Sequence, residues 1–455
     1  MRARKRRRRA PSEPREATVE GLSREGLGWW NTSTERTDDA VTVIERRVEA
    51  FDVLPGERLS FREVDRHRGV GRGEVLELRE RSEDRVEPTC PHVGLCGGCS
   101  LQHMASRAQV EHKQAQLLAD FTTIGGVEPA RILAPIRGPL FGYRRRARLG
   151  IKDVPAKGKV LVGFRERDKR FVADLSRCPV LREPANNLLA PLSTCIASLS
   201  ISRRVPQAEV SVADNAVALV LRVLDPPSDD DRAALAAFGR DQGVVVFLQP
   251  GGPQTVQPLE TAPPLRYRLA RHDIEFDFEP LDFVQVNAEV NEQLVDLALD
   301  QLQLAPHHRV LDAFCGLGNF SLPLARRVGH VCGLEGDAGL IARARANASK
   351  HGLDNVEFDA VDLHRECESH PRLSTTYDRV LLDPPRSGAA RIVAHMGQLR
   401  PERIVYVACS PESLARDAGE LVRHQGYALE AAGVIDMFLH TAHVESIAVF
   451  VRTST

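Results

Sequence analysis

A chain of 455 residues, 42% apolar and 27% charged, is a globular protein too long for one compact core and is expected to divide into domains. Its formal net charge of −1 excludes no class of partner, but residues 1–10 read MRARKRRRRA, an Arg-rich arm suited to phosphate. That arm lacks the apolar stretch of a secretory signal, no run approaches the roughly 20 apolar residues of a membrane span, and nine cysteines in so long a chain suit a reduced cytoplasm better than a disulfide framework.

The arm is taken as residues 1–16. Residues 17–84 are rich in Val, Gly and Arg, with strand-like runs at 17–20, 40–44 and 72–78 and a turn, LPGE, at 54–57. This pattern predicts a small β-barrel of the oligonucleotide-binding type, a class that often binds nucleic acid. Next comes C-x5-C-x2-C at Cys90, Cys96 and Cys99, with Cys178 downstream as a candidate fourth ligand. Four thiolates suit zinc or an iron–sulfur cluster. The departure from paired C-x2-C knuckles, and Pro91 and Pro179 after the first and last Cys, favour [4Fe–4S]. His92 and His103 are alternative ligands by residue type, although loop or packing roles are the commoner ones. Residues 85–280 form a central, mixed, mainly β domain, in which a helical segment at 106–121 can pack on the catalytic domain. Its cationic run YRRRAR, residues 143–148, reads equally as an RNA contact and as a solvated strand edge. From 281 to 455 strands and helices alternate, which predicts a Rossmann-like α/β domain.

Within that domain acidic residues stand at successive strand ends. VLDAFCGLGNF, residues 310–320, is a strand, a glycine turn and a helix start containing Asp312. Glu335 ends the next strand, about 20 residues on, where a carboxylate can bind ribose hydroxyls. Asp362 and Asp383 follow two more strands. A pyrophosphate would call for G-x-G-x-x-G, whereas Asn319-Phe320 stands where that pattern would continue. The acidic turn therefore favours a cationic ligand, S-adenosylmethionine.

Cys409 ends the apolar run 403–408, just before a helical pattern, and Glu445 opens a last alternating strand. Ligands of doubly wound sheets bind outside the carboxyl ends of the strands, so a final antiparallel strand would bring Glu445 to the same edge. Beside a methyl donor, a thiol suits one acceptor in particular. Carbon 5 of a pyrimidine is barely nucleophilic until a thiolate adds at carbon 6, and a base must afterwards remove the carbon-5 proton. Cys409 is read as the nucleophile, its thiolate favoured by the helix N-terminus. Glu445 is read as the base and Asp383 as an acceptor for the uracil edge.

The motifs DAFCGLGNF, FVQVN, LLDPPRSG, YVACSPESLARD and DMFLHTAHVES together resemble the RNA uracil-5-methyltransferases, and CPHVGLCGGC with Cys178 resembles their iron–sulfur members. The resemblance runs from about residue 57 onward. With an N-terminal barrel of the TRAM type, it points to the bacterial branch acting on a 23S ribosomal RNA uridine. It implies that Cys409 and Glu445 are catalytic, and that Gln285, Phe314, Asn319, Glu335, Asp362 and Asp383 contact the methyl donor or the target base. It further implies that Cys90, Cys96, Cys99 and Cys178 hold a [4Fe–4S] cluster without redox part in the transfer. The expected partner is 23S rRNA, bound through a single-stranded or loop uridine flipped out of its stack, by a monomer that uses no DNA. Two positions depart from the family pattern: Ser410 where Asn is usual, and Asp362 where Asn is frequent. Rival readings are another 23S or tRNA site, a methyltransferase acting on an amine, for which Asp-Pro-Pro is reminiscent, and a ribosome assembly factor with a vestigial donor site.

Overall fold

The structure, a computed structural model, describes residues 13–37, 41–365 and 370–453; residues 1–12 of the basic arm lie outside them. Contacts group the chain into two compact units. One comprises residues 1–109, 166–169 and 440–443, and the other 110–165, 170–439 and 444–455. The expected boundaries at 84/85 and 280/281 fall inside the first and the second unit. Among the described residues no helix is long and apolar enough to cross a membrane.

The first unit carries a six-stranded sheet in the order Arg15–Thr18, Arg58–His67, Val70–Glu80, Val41–Ala50, Gly28–Thr37, Gly21–Leu22. Alternation along Arg58–His67 turns Leu59 and Phe61 inward. They meet Val48 and the fully buried Trp30, whose ring lies edge-on to Phe61 at 4.7 Å. The buried Glu57 is held by Arg85 and by the Leu54 N–H at 2.8 Å, so this burial leaves no charge uncompensated.

The second unit contains two large sheets. The first has six strands, in the order Gln257–Pro258, Val245–Gln249, Val217–Arg222, Gln207–Val212, Arg146–Val154, Lys159–Gly163. The eight-stranded sheet has the order Val356–Ala360, His330–Glu335, Arg309–Ala313, Arg379–Leu382, Arg403–Ala408, Glu445–Arg452, Tyr427–Ile435, Arg131–Ile132. Its first five strands are parallel, and Glu445–Arg452 runs antiparallel between its two neighbours. Both faces are covered, as a mainly parallel sheet requires. Val405 and Val407 point into one layer with Val290 and Leu294 of the Ala288–Gln301 helix. Ile404, Tyr406 and Ala408 point into the other, where Leu117 of the Ser106–Asp120 helix and Phe121 pack. That helix thus lies on the sheet that carries the strand ends of interest.

Candidate active site

The Arg403–Ala408 strand is buried at every position, and the Pro411–His424 helix begins where Ser410 accepts the Ser413 N–H at 3.4 Å. Cys409 occupies the break between them. Ala408 pairs with Ser446 in the antiparallel ladder, and one further step of the register sets Cys409 beside Glu445. Asp383 follows the parallel neighbour, its N–H donating to the Ala313 carbonyl at 3.3 Å. Burial pushes the Cys409 thiol up to about 11, and Glu445 and Asp383 add to it while Arg386 opposes. Burial likewise pushes Glu445 up to about 8, with Asp383 adding and Lys113 and Arg386 opposing. Asp383 is raised by burial to about 7. Burial and the two carboxyl groups act against the thiolate that the helix N-terminus was expected to favour. For Glu445 the same burial moves the carboxyl toward the range in which a proton-transfer group is most effective.

The loop after Asp383 is held from the neighbouring helix. Gly388 adopts φ 81°, and its N–H closes a turn onto the Pro385 carbonyl at 2.9 Å. Asp417 accepts the Ala389 N–H at 2.7 Å and the Tyr406 hydroxyl at 2.8 Å, while Arg416 donates to the Ser387 carbonyl at 2.9 Å. Neither Tyr406 nor Asp417 is legible as functional in the sequence, since both read as ordinary strand and helix positions.

On the donor side, Asp312 is fully buried and raised by burial to about 7, with Asp383 and Glu335 adding. Ser321 donates to its Oδ2, whereas Oδ1 has no partner. Phe314 takes φ 66°, unusual for a bulky side chain, and its N–H and that of Cys315 are both secured by the Leu334 carbonyl, at 2.8 and 3.0 Å. Gly316, at φ 55°, faces open space and donates its N–H to Glu335 at 3.3 Å. Asn319 forms a reciprocal amide pair with Asn291, both bonds 3.0 Å, and accepts the Tyr267 hydroxyl at 3.3 Å. It therefore braces the glycine turn. Asp362 is exposed and engaged with its own loop, through the His364 N–H at 3.0 Å and Arg365 at 3.1 Å. The His364 ring lies 5.3 Å from Phe314. An orphaned buried carboxylate oxygen, an open glycine turn and a set of acidic side chains fit a cationic ligand such as S-adenosylmethionine.

Gln285 is half-buried, between the Ile274–Phe278 strand and the helix that Asn287 caps by accepting the Val290 N–H at 3.3 Å. Its segment is anchored by the cationic run. Arg146 donates to the carbonyls of Asp282 and, at 3.1 Å, Pro280, and the Arg145 N–H reaches the Val286 carbonyl at 2.9 Å. The Arg145 side chain is buried against Asp214 and the Val212 carbonyl. Arg145 is therefore an internal brace rather than part of a solvated edge, and the half-buried Arg146 is engaged with backbone carbonyls. Phe283, 70% exposed, stands two residues before Gln285, an aromatic that the sequence reading did not single out.

Cys90, Cys96 and Cys99 lie in the first unit and are half-buried; Cys178 lies in the second and is buried; all four are free thiols. The Gly98 N–H points to Cys96 Sγ at 3.4 Å, and the Cys96 thiol is raised by burial, with neighbouring Cys90 contributing. Thiol neighbours with an N–H directed at sulfur fit a thiolate-ligated cluster. Among the described residues, however, no three His, Cys, Asp or Glu side chains are gathered as a metal-binding group.

Residues 266–453 match the family model for tRNA (Uracil-5-)-methyltransferase. Over 98% of its length the chain is 49% identical to the 23S rRNA (uracil(1939)-C(5))-methyltransferase RlmD of Alkalilimnicola ehrlichii, covering 99% of that protein. The chain belongs to the RNA uracil-5-methyltransferase family. The enzyme of the same name from Methylococcus capsulatus is 46% identical over 97% of this chain and 98% of its own. The crystal structure of Pyrococcus abyssi tRNA (uracil-54, C5)-methyltransferase in complex with S-adenosyl-L-homocysteine matches 96% of this chain and 100% of that one. Its TM-score of 0.71 at 23% identity is a likeness of fold.

Proposed function

We propose that this protein methylates carbon 5 of a uridine in 23S rRNA, using S-adenosylmethionine and a covalent bond between Cys409 and carbon 6 of the base. The observation that carries the reading is the meeting of Cys409, Glu445 and Asp383 on one sheet edge, beside the acidic turn of Asp312, Phe314 and Glu335. S-adenosylmethionine supplies a methyl group made electrophilic by its sulfonium. Cys409 gives its proton to water as Sγ bonds carbon 6; the carbon 5–carbon 6 double-bond pair shifts to carbon 4–carbon 5 and the carbonyl pair moves onto oxygen, forming an enolate. Carbon 5 takes the methyl as the methyl–sulfur bond breaks, with S-adenosylhomocysteine leaving; Glu445 then removes the carbon-5 proton, and the pair released restores the double bond and expels the Cys409 thiolate. Asp383 accepts from the uracil N–H, and Gln285 and Asn319 help position the reactants. The base must leave its stack to reach this edge, at a cost of about a few kcal/mol, and exposed Phe283 offers a stacking face.

Cys90, Cys96, Cys99 and Cys178 are proposed to hold a [4Fe–4S] cluster that organises RNA binding. The six-stranded N-terminal sheet is proposed as a TRAM-type barrel of the oligonucleotide-binding class. The same reading makes the protein a cytoplasmic monomer with 23S rRNA as its partner.

Replacing Glu445 by Gln tests the chemistry. Adduct formation and methyl transfer precede removal of the carbon-5 proton and do not use Glu445, so this variant should accumulate a methylated RNA–protein complex stable to denaturing electrophoresis. RNA with 5-fluorouridine at the target should trap the unaltered enzyme similarly. Absence of a complex from both would overturn the covalent route. For the cysteine site, anaerobically purified protein should contain about four irons with acid-labile sulfide, lost in Cys178→Ser; stoichiometric zinc without sulfide would refute the cluster.

A further inference from the structure

We propose that Lys113 is a positioning residue for the base: its buried ion pair with Asp436 fixes the strand end opposite Glu445 and holds a cation beside that carboxylate. The inference deepens the reading of Glu445 as the base and rests on it. Lys113 comes from the Ser106–Asp120 helix, remote in sequence from every motif of the active edge. Its Nζ is completely buried, 2.7 Å from Asp436 Oδ1 and 3.1 Å from the Phe438 carbonyl. Asp436 directly follows the Tyr427–Ile435 strand, and Ile435 is the cross-strand partner of Glu445.

A buried ammonium with a full rotamer-entropy cost is a poor way to fasten a helix to a sheet, because desolvation offsets most of the attraction within the pair. An apolar pair would serve packing equally. A cation is needed if a third group must feel it, and Glu445 does: burial raises its pKa and Lys113 opposes, while burial lowers the pKa of Lys113 and Asp436 and Glu445 oppose that fall. The charged and titratable groups facing Glu445 are Cys409 across the ladder, Asp383 and Arg386 from the Asp-Pro-Pro loop, Lys113 from the helix, and Asp436 at the adjoining strand end. Burial and Asp383 hold the proton on Glu445, and Lys113 is one of two cations that make it easier to release. Without it Glu445 would stay protonated to higher pH, and removal of the carbon-5 proton would slow.

The test is the pH dependence of methyl transfer by the full-length protein on its RNA substrate, with denaturing gels to count covalent adduct. Lys113→Met should move the acidic limb upward by about one pH unit, a tenfold loss of rate below it, with methylated adduct accumulating at neutral pH. Asp436→Asn removes the carboxylate that keeps the buried ammonium charged, so it should move the limb the same way, while Lys113→Arg, which keeps its charge, should restore the original profile. A purely structural pair would lower rate or stability without moving the limb. If Lys113→Met folds poorly, the double variant Lys113→Met, Asp436→Leu removes both charges and should still show an upward shift relative to the unaltered protein. Glu445→Gln serves as the control. If it accumulates adduct while the Lys113 variants leave the limb in place, the role of Lys113 is overturned and the base assignment stands. If Glu445→Gln accumulates none, the base assignment falls and this proposal with it.

Discussion

The acidic edge of the large sheet and the cationic run at residues 143–148 both take charged side chains out of water, and they resolve the cost differently. Arg145 and Arg146 are paired with Asp214 and with the carbonyls of Val212, Pro280 and Asp282. Asp312 keeps an oxygen without a partner, and Asp312, Asp383 and Glu445 all hold their protons to unusually high pH. The charge of Arg145 and Arg146, partnered within the protein and away from the acidic edge, braces the fold. Buried charge that finds no such partner is held ready for a ligand or a reaction, and its instability is the source of its reactivity.

The contrast can be broken most severely at the acidic edge. Cys409→Ala removes the nucleophile and should lower methyl transfer by at least about a thousandfold while RNA binding and thermal stability remain near normal. Measurable turnover at near-normal rate would end the covalent reading. At the cationic run the effects should be reversed in kind. Arg145→Ala removes one partner of Asp214, itself 43% exposed and still bonded by the Arg268 N–H, and strips the Val212 carbonyl of its contact with a side chain only 4% exposed. A loss of about 2–3 kcal/mol in denaturant unfolding is expected, with the salt slope of RNA binding unchanged. A flattened slope in a stably folded variant would instead make Arg145 a phosphate contact.

The smallest effect sharpens the comparison. Asp383 is raised to about 7 in the fold, against about 4 in an unfolded chain. Between those values the folded state retains a proton that the unfolded state has lost, so stability falls as pH rises through the window and levels off above it. Asp383→Asn mimics the protonated acid and removes that loss. Without ligands, its stability advantage over the unaltered protein should grow from little at pH 4 to about 1–2 kcal/mol at pH 8, the half-buried position limiting the gain. An advantage independent of pH would show that Asp383 ionises freely in the fold.

Much of this protein is legible in the order of its residues. Apolar runs ending in Asp312, Glu335, Asp383 and Cys409 mark parallel strands whose carboxyl ends carry chemistry, because a strand's end and the turn after it are fixed by local pattern. The strand opening at Glu445 and the helix behind Ser410 are local in the same sense. In the N-terminal region the Gly28–Thr37 and Arg58–His67 strands escape such reading, since polar and charged residues dominate them and only pairing with neighbours makes them strands. Tertiary structure alone decides the rest. Whether YRRRAR meets solvent, RNA or the interior depends on which carbonyls the fold brings to it, and whether Cys409 is thiol or thiolate depends on burial and on carboxylates distant in sequence. Lys113 reaches Asp436 across more than three hundred residues. Sequence spacing records which groups are available at a strand end, but desolvation and charge–charge energy depend on distances in space, and only the folded chain sets those.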